Sequence, residues 1–512
     1  MKKQDLLKGT FILAAGTLIA KFLGVFFRYP IILMLGDEGI AFYQLVFPLH
    51  MFFMAFAYGI PIAMSKLISE SRAMDRNDQN SILSQGLLFM VLLGGGFSSL
   101  LLIFSKEIIS FLKWNPGSYY SFLGISFAPF IIGLLSVFRG YFQGMQNMYP
   151  SAISQIIEQI GRVIFGVGLA FILISKGIEV AAGGAALGTS FGGIFALAFL
   201  VFYFILTRDK DLKVKSKEKN NVLKKILDIA IPISIGASVP AIMALIDSIV
   251  IPQRLSAAGF DYVQSAILYG QLTGKASVFI NVPLTLSMAL CTSIIPILSE
   301  HFVLKNYREI DKKSQIAYKF SFAISLPSCI GLFLLSNQII ALVFPGSETG
   351  GDILRWSSIT IIFIILFQLS SSILQAIGKE NVPVKNLILG CIFKFGISWF
   401  LTSIPEINIY GSIIGTIVGY FIPCIMNLII LKKTINNYIN INESLIKPLI
   451  SATTMAFCLV ISYNFLKDRI NNLNLVTITV ILISVLIYVF VLIITGVLDY
   501  HSIIRKLELQ KR

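Results

Sequence analysis

The sequence predicts an all-α integral membrane protein of about 14 transmembrane helices, built as two similar halves. Three observations predict it: of 512 residues, 56% are hydrophobic and only 13% charged; long apolar stretches follow one another with short polar breaks; and signals of the first half recur in the second. An ordinary soluble domain carries roughly 25% charged residues. A helix needs about 20 mostly apolar residues to cross about 30 Å of hydrocarbon.

In chain order the expected spans are 9–35, 42–67, 81–105, 119–143, 151–175 and 181–206, then 226–252, 266–298, 316–336, 353–377, 386–404 and 410–431, and last 448–466 and 476–497. Met1-Lys2-Lys3 leads into an apolar run that is too long for a signal peptide and carries Lys21 and Arg28, so it is read as the first helix. The resulting organisation is an N-lobe at 1–206, a basic cytoplasmic linker at 207–225, a C-lobe at 226–431, and two added helices with a basic tail at 432–512. The linker holds eight basic and three acidic residues, which suits a solvated segment touching anionic lipid.

The net charge of +15 would suggest nucleic acid in a soluble protein. Here most of the 41 Lys and Arg fall in alternate loops and the tails, the positive-inside pattern, and an even number of helices returns both termini to the cytoplasm. Nucleic acid is therefore not an expected partner. The five cysteines all lie in apolar spans without Cys-x-x-Cys spacing, so neither a disulfide frame nor a zinc site is expected.

Gly184-x-x-x-Gly188-Thr189-x-x-Gly192 reappears as Gly411-x-x-x-Gly415-Thr416-x-x-Gly419, 227 residues on. Ser69-Glu70 closing the second span recurs as Ser299-Glu300 closing the eighth, and Gln143 and Pro150 recur as Gln375 and Pro383 around a short inner turn. Six crossings per repeat make both copies face the same way, so two parallel six-helix lobes in a pseudo-two-fold arrangement across a central cleft are expected. The glycine ladders are read as close helix packing. Prolines inside spans, among them Pro48, Pro232, Pro240, Pro327 and Pro423, free backbone groups that neighbours must satisfy, and they mark bending points.

Motifs for chemistry are scarce. The three histidines are too scattered for a metal cluster or a triad, and no hydrolase or zinc-protease motif occurs. Gly270-Gln271-Leu272-Thr273-Gly274-Lys275-Ala276-Ser277 imitates a phosphate loop, but it is one residue short between its glycines, ends Lys-Ala, and has no strand before it. No nucleotide, metal or cofactor is expected, apart from a coupling ion, Na+ or H+.

The informative residues are charges inside spans, each costing about 2.5–3.5 kcal/mol on insertion scales if left facing lipid. Lys21 lies well inside the hydrocarbon, and Arg28 near the outer headgroups. Arg162 and Lys394 each follow their Gln (Gln143, Gln375) by 19 residues, so they sit at matching depth in the two halves. Glu158, one turn before Arg162, offers it an ion-pair partner. Arg139 and Lys275 lie nearer span ends and are further candidates for ligand contact. Asp247 and Glu158 are the candidates for ion coupling. The cationic excess suits a substrate with a phosphate or pyrophosphate head and an apolar tail.

These residues also carry a resemblance. Leu35-Gly36-Asp37-Glu38-Gly39-Ile40-x-x-Tyr43-Gln44, Gly59-Ile60-Pro61-x-Ala63-x-Ser65-Lys66-x-x-Ser69-Glu70, Arg139-Gly140-Tyr141-Phe142-Gln143-Gly144, Pro150-x-Ala152-x-Ser154-Gln155-x-x-Glu158-Gln159 and Tyr269-Gly270-Gln271-Leu272-Thr273-Gly274 together resemble the stage V sporulation protein B and polysaccharide-export branch of the multidrug/oligosaccharidyl-lipid/polysaccharide exporter superfamily.

The resemblance implies a non-enzymatic flippase in a bacterial plasma membrane. It would move undecaprenyl-pyrophosphate-linked oligosaccharide, in the best-known relatives lipid II, by alternating access for cell-wall or spore-cortex synthesis. It implies that basic side chains hold the pyrophosphate. Lys21 falls where the first-helix cation of such flippases would lie, and Arg28 is displaced by about one residue from a second. The second-helix arginine of those flippases is replaced by Met51-Phe52-Phe53, and the eighth-helix cation maps near Val278, about one turn from Lys275. Spans thirteen and fourteen resemble the pair that shelters the lipid tail. The expected partners are the lipid-linked substrate and membrane lipids, around a monomer. Competing expectations are a cation-coupled multidrug exporter using Asp247, and a non-transporting scaffold in envelope assembly.

Overall fold

The computed structural model describes residues 6–74, 78–207, 222–435 and 439–497; most of the expected basic linker and the carboxyl-terminal tail lie outside them. Among the described residues every regular element is a helix. The chain runs through α1 (Leu6–Ala57), α2 (Gly59–Ala73), α3 (Gln79–Ile103), α4 (Ser105–Phe111), α5 (Tyr119–Ser126), α6 (Ala128–Gly144), α7 (Tyr149–Leu173), α8 (Ile178–Thr207), α9 (Val222–Ala257) and α10 (Tyr262–Gly270). A π-helical turn, Gln271–Ala276, leads to α11 (Ser277–Val303), α12 (Tyr307–Leu334), α13 (Ser336–Val343), α14 (Gly351–Ser357), α15 (Thr360–Ala376), α16 (Asn381–Leu401), α17 (Tyr410–Ile435), α18 (Lys447–Lys467) and α19 (Leu473–Ile494).

Thirteen stretches among the described residues are long and apolar enough to cross a membrane. The first, Phe27–Arg72, joins the end of the first expected span to the second, and the other twelve follow the expected spans in order. At 1.5 Å per residue a straight α1 would extend about 78 Å, far beyond one crossing. It is interrupted at Gly36, whose φ of 63° and ψ of −167° belong to a region that essentially only glycine enters. The Phe27 and Tyr43 ring centroids lie 5.7 Å apart, whereas a straight helix would separate them by about 24 Å. So α1 doubles back at Gly36, and the loop expected at 36–41 shrinks to one non-helical residue.

The chain divides into two compact units, Met1–Gly270 and Gln271–Arg512. This boundary differs from the repeat boundary expected near 226, because α9 and α10 pack within the first unit. Gly59 approaches the backbone of Ala230 so closely that no side chain fits, and its N–H donates to Ser234 Oγ at 3.3 Å. Ile226 and Ala230 join Ile60, Met64, Phe138 and Phe142 in one buried cluster.

Within the first unit α7 and α8 are joined through glycines. Gly184 faces the backbone of Leu169, Gly188 faces Gly166 and the Arg162 carbonyl, and Gly192 faces the Glu158 carbonyl. Within the second unit α16 and α17 repeat this contact for contact. Gly411 faces Leu401, Gly415 faces Ser398 and the Lys394 carbonyl, and Gly390 faces the Gly419 carbonyl. Every partner on α16 lies 232 residues after its counterpart on α7, so Arg162 and Lys394 are equivalent in helix packing as well as in sequence.

Other bonds recur in the same way. Ser69 Oγ donates to Gly144 O at 3.0 Å, and Ser299 Oγ to Ala376 O at 3.1 Å. The turn after α6 bonds Gln146 N to Gln143 O and Asn147 N to Phe142 O; the turn after α15 bonds Gly378 N to Gln375 O and Lys379 N to Leu374 O. Both turns pass through a left-handed residue, Gln146 (φ 56°) and Gly378 (φ 74°). Without a hydrophobic force between helices in lipid, close backbone packing and interhelical hydrogen bonds hold such units together. In the second unit they include a buried network in which Asn386 donates to Asn427 at 2.8 Å and Asn427 to Ser370 and Ser371 at 3.2 and 3.1 Å.

Candidate functional site

The first unit gathers charge and aromatic rings around Arg162 of α7. The first arm of α1 lies along α7: a Cβ on Gly16 would come within 2.8 Å of Ala152 Cβ, Thr17 Oγ1 donates to Gln155 Oε1 at 2.8 Å, and Gly166 leaves room for the Phe27 ring. The second arm presents Tyr43, Phe47 and His50, whose four- and three-residue spacing places them on one helical face.

Arg162 fills the space between the arms. Its Cζ lies 4.8 Å from the Phe27 ring centroid and 5.0 Å from that of Phe47, and its Nη2 donates to the Tyr43 hydroxyl. Tyr43 stacks on Phe47 and Phe47 packs against His50, with centroids 5.4 and 5.6 Å apart. Arg28 belongs to the same electrostatic cluster and interacts with both Tyr43 and Arg162.

The carboxylate expected to neutralise Arg162 is engaged elsewhere. Glu158 Oε2 receives Arg139 Nη2 at 2.7 Å, and Arg139 Nε donates to Ser154 Oγ at 2.9 Å, so α6 and α7 are joined by an ion pair whose side chains are only 14% and 12% exposed. Glu158 is the only acid on α7, so Arg162 has no carboxylate on its own helix. Two ring faces offset the cost of its burial, each by about 1–2 kcal/mol when desolvated. Its Nε is buried and makes no hydrogen bond among the described residues, and the same holds for His50 Nδ1. The cluster therefore keeps positive charge and unfilled donor capacity, the properties of an anion site.

The other candidates are dispersed. Lys21 lies on the first arm of α1, but its side chain is outside the described residues. Lys275, in the π-helical turn, is fully buried in the second unit, where Nζ donates to Ser347 O at 2.5 Å, Ser347 Oγ at 2.9 Å and Thr349 O at 3.1 Å. It holds the segment between α13 and α14. Lys394 is buried at 2% exposure within the second unit. Asp247 is half-buried on α9 in the first unit. Phe27, Tyr43, Phe47 and His50 were not among the sequence-level candidates; their signal was the 43, 47, 50 periodicity opposite a lone intramembrane arginine.

A two-unit helical protein with recurring helix-pair contacts and an intramembrane cation cluster defines the class of multi-pass membrane transporters. The chain belongs to the family described as polysaccharide biosynthesis protein, whose model matches residues 6–302, and a second model, MatE, matches residues 274–400.

Among its relatives, Stage V sporulation protein B of Bacillus subtilis (strain 168) is 27% identical over 453 residues, covering 86% of each chain. Lipid II flippase MurJ of the same organism is 27% identical over 457 residues, covering 84% of this chain and 83% of that one. A solved structure of lipid II flippase MurJ in an inward closed conformation matches with a TM-score of 0.75 at 18% identity, over 96% of this chain and all of that one. An inward-facing multidrug resistance MATE transporter matches at 0.69 and 17% identity, over 82% of this chain and 94% of that one. The chain thus has the fold expected of the exporter superfamily.

Proposed function

We propose that the protein is a flippase that carries an undecaprenyl-pyrophosphate-linked oligosaccharide, lipid II foremost, from the inner to the outer leaflet of a bacterial plasma membrane by alternating access. The observation that carries this reading is Arg162, held charged between Phe27, Phe47 and Tyr43 beside Arg28, with no carboxylate of its own helix and with Nε unpaired. A pyrophosphate offers several anionic oxygens to such a donor fork, and arginine is the side chain suited to receive them. The named activity of MurJ and the sporulation role in the name of Stage V sporulation protein B favour cell-wall or spore-cortex synthesis as the setting. Lys21 belongs to the same proposal by its place on the first arm of α1. Both termini are proposed to be cytoplasmic and the working unit a monomer, with the membrane potential or a Na+ or H+ gradient driving transport at about 2.3 kcal/mol per charge per 100 mV.

The MatE match and the MATE-like fold favour a second reading, an exporter of cationic drugs. That activity would need a carboxylate, for which Asp247 is the candidate. Complementation of a lipid II flippase-depleted strain, with drug efflux measured in parallel, separates the two. In the flippase reading Arg162→Gln abolishes rescue and Asp247→Asn leaves drug efflux at its background level. Efflux that depends on Asp247, with rescue absent in the unmodified chain, would replace the flippase by the exporter.

A further inference from the structure

Pro48, Pro252 and Pro327 lie inside α1, α9 and α12. A proline has no N–H, so each removes the helical donor of the carbonyl four residues earlier, at Gln44, Ser248 and Ala323. In hydrocarbon no water replaces that donor, and the protein must supply another. All three carbonyls accept a hydrogen bond from an aromatic side chain of a different element. Tyr269 Oη donates to Gln44 O at 3.2 Å, Trp114 Nε1 to Ser248 O at 2.6 Å, and Tyr488 Oη to Ala323 O at 2.8 Å. The three donors are buried. Pro423 has a different solution, since Gly390 brings its backbone against the Gly419 carbonyl.

The Tyr269 bond bears on the site. Gln44 lies between Tyr43, which binds Arg162, and Phe47, which covers it. Gly270, next to Tyr269, lets α10 close on the Asp37 carbonyl and the Ala41 side chain, where any side chain at 270 would collide. Together the two residues seat α10 along the start of the second arm of α1.

We propose that Tyr269 is a positioning residue for the Arg162 site. Its hydroxyl takes the place of the N–H that Pro48 lacks, and so holds residues 43–50 in the one conformation that sets Tyr43, Phe47 and His50 about the guanidinium. The bond itself stands on the geometry; its consequence for a ligand rests on the proposed function.

The test uses Tyr269→Phe, which removes one oxygen atom, and Pro48→Ala, which returns the backbone donor. Hydrogen exchange of residues 42–50 and binding of undecaprenyl pyrophosphate are measured on the full chain in nanodiscs. Tyr269→Phe is expected to speed exchange and weaken binding by about five- to tenfold, the range for one neutral hydrogen bond. In the Pro48→Ala background the same change is expected to do neither beyond about twofold, the residual for one unmade contact. Tyr488→Phe, the same chemistry in the second unit, is expected to leave binding unchanged.

Unaltered exchange at 42–50 in Tyr269→Phe, or equal effects with and without Pro48, would overturn the proposal. So would full binding by Tyr269→Phe when the unmodified chain binds. If exchange responds and is rescued while the unmodified chain binds no undecaprenyl pyrophosphate, the lock stands and the reading of the ligand falls.

Discussion

Arg162 shows how an intramembrane charge is accommodated without a counter-ion. Replacing it by Lys keeps the charge but loses the planar fork and much of the stacking on Phe27 and Phe47, so Arg162→Lys is expected to retain the fold and lose most transport activity. Circular dichroism and melting of the purified variant check the first, and a translocation assay the second. Glu158→Gln leaves Arg139 without its charge partner at 14% exposure. Removing one member of a buried pair costs up to about 3–5 kcal/mol, and the residual exposure of this pair lowers that to about 2–3 kcal/mol. The double change Arg139→Met/Glu158→Met is expected to cost less than Glu158→Gln alone, measured as a shift in melting temperature.

The sequence singled out Arg162 by its depth but assigned it Glu158, because residues four apart share a face. The competing partner, Arg139, comes from α6 and is invisible to spacing along one helix. Lys275 was misjudged for the same reason: its acceptors lie more than 70 residues away in the segment after α13.

At the scale of elements, glycine placement decides which helices touch. Gly192 and Gly390 each abut a backbone carbonyl, at Glu158 and Gly419, which cannot turn aside; Gly415 abuts the Ser398 hydroxyl, which can. Gly192→Ala and Gly390→Ala are therefore expected to lower the melting temperature by several degrees and Gly415→Ala by less. Gly96→Ala and Gly331→Ala, with nothing within 4 Å, are expected to be neutral or mildly stabilising. Equal losses at all five positions would contradict close packing as the role of these glycines.

Most spans were legible because twenty apolar residues leave a strong signal. The break at Gly36 was harder to read, since a single residue in a glycine-only conformation reverses α1 without the polar loop that normally marks a turn. The aromatic donors opposite Pro48, Pro252 and Pro327 were illegible for a related reason. Proline announces the freed carbonyl, but the donor comes from a distant part of the chain.

For the molecule as a whole, the duplication is the feature both sequence and structure express most fully. The 232-residue displacement that aligned Gln143 with Gln375 also aligns glycine contacts, serine hydrogen bonds and left-handed turns within each unit. Compactness does not follow that division, because α9 and α10 pack on the N-terminal helices through Gly59, Trp114 and Gly270. The site is likewise asymmetric: Arg162 meets an aromatic cage, whereas its counterpart Lys394 is buried within its own unit. A duplicated scaffold with one specialised copy suits a carrier that grips an anionic head group.

Translocation of fluorescent lipid II in proteoliposomes tests this most directly, with an uncharged glycolipid of the same tail as comparison. The unmodified chain is expected to move lipid II, to leave the uncharged lipid near the rate of empty vesicles, and to lose lipid II movement with Arg162→Gln. Lipid II movement no faster than in empty vesicles, or undiminished in Arg162→Gln, would contradict a pyrophosphate-binding flippase.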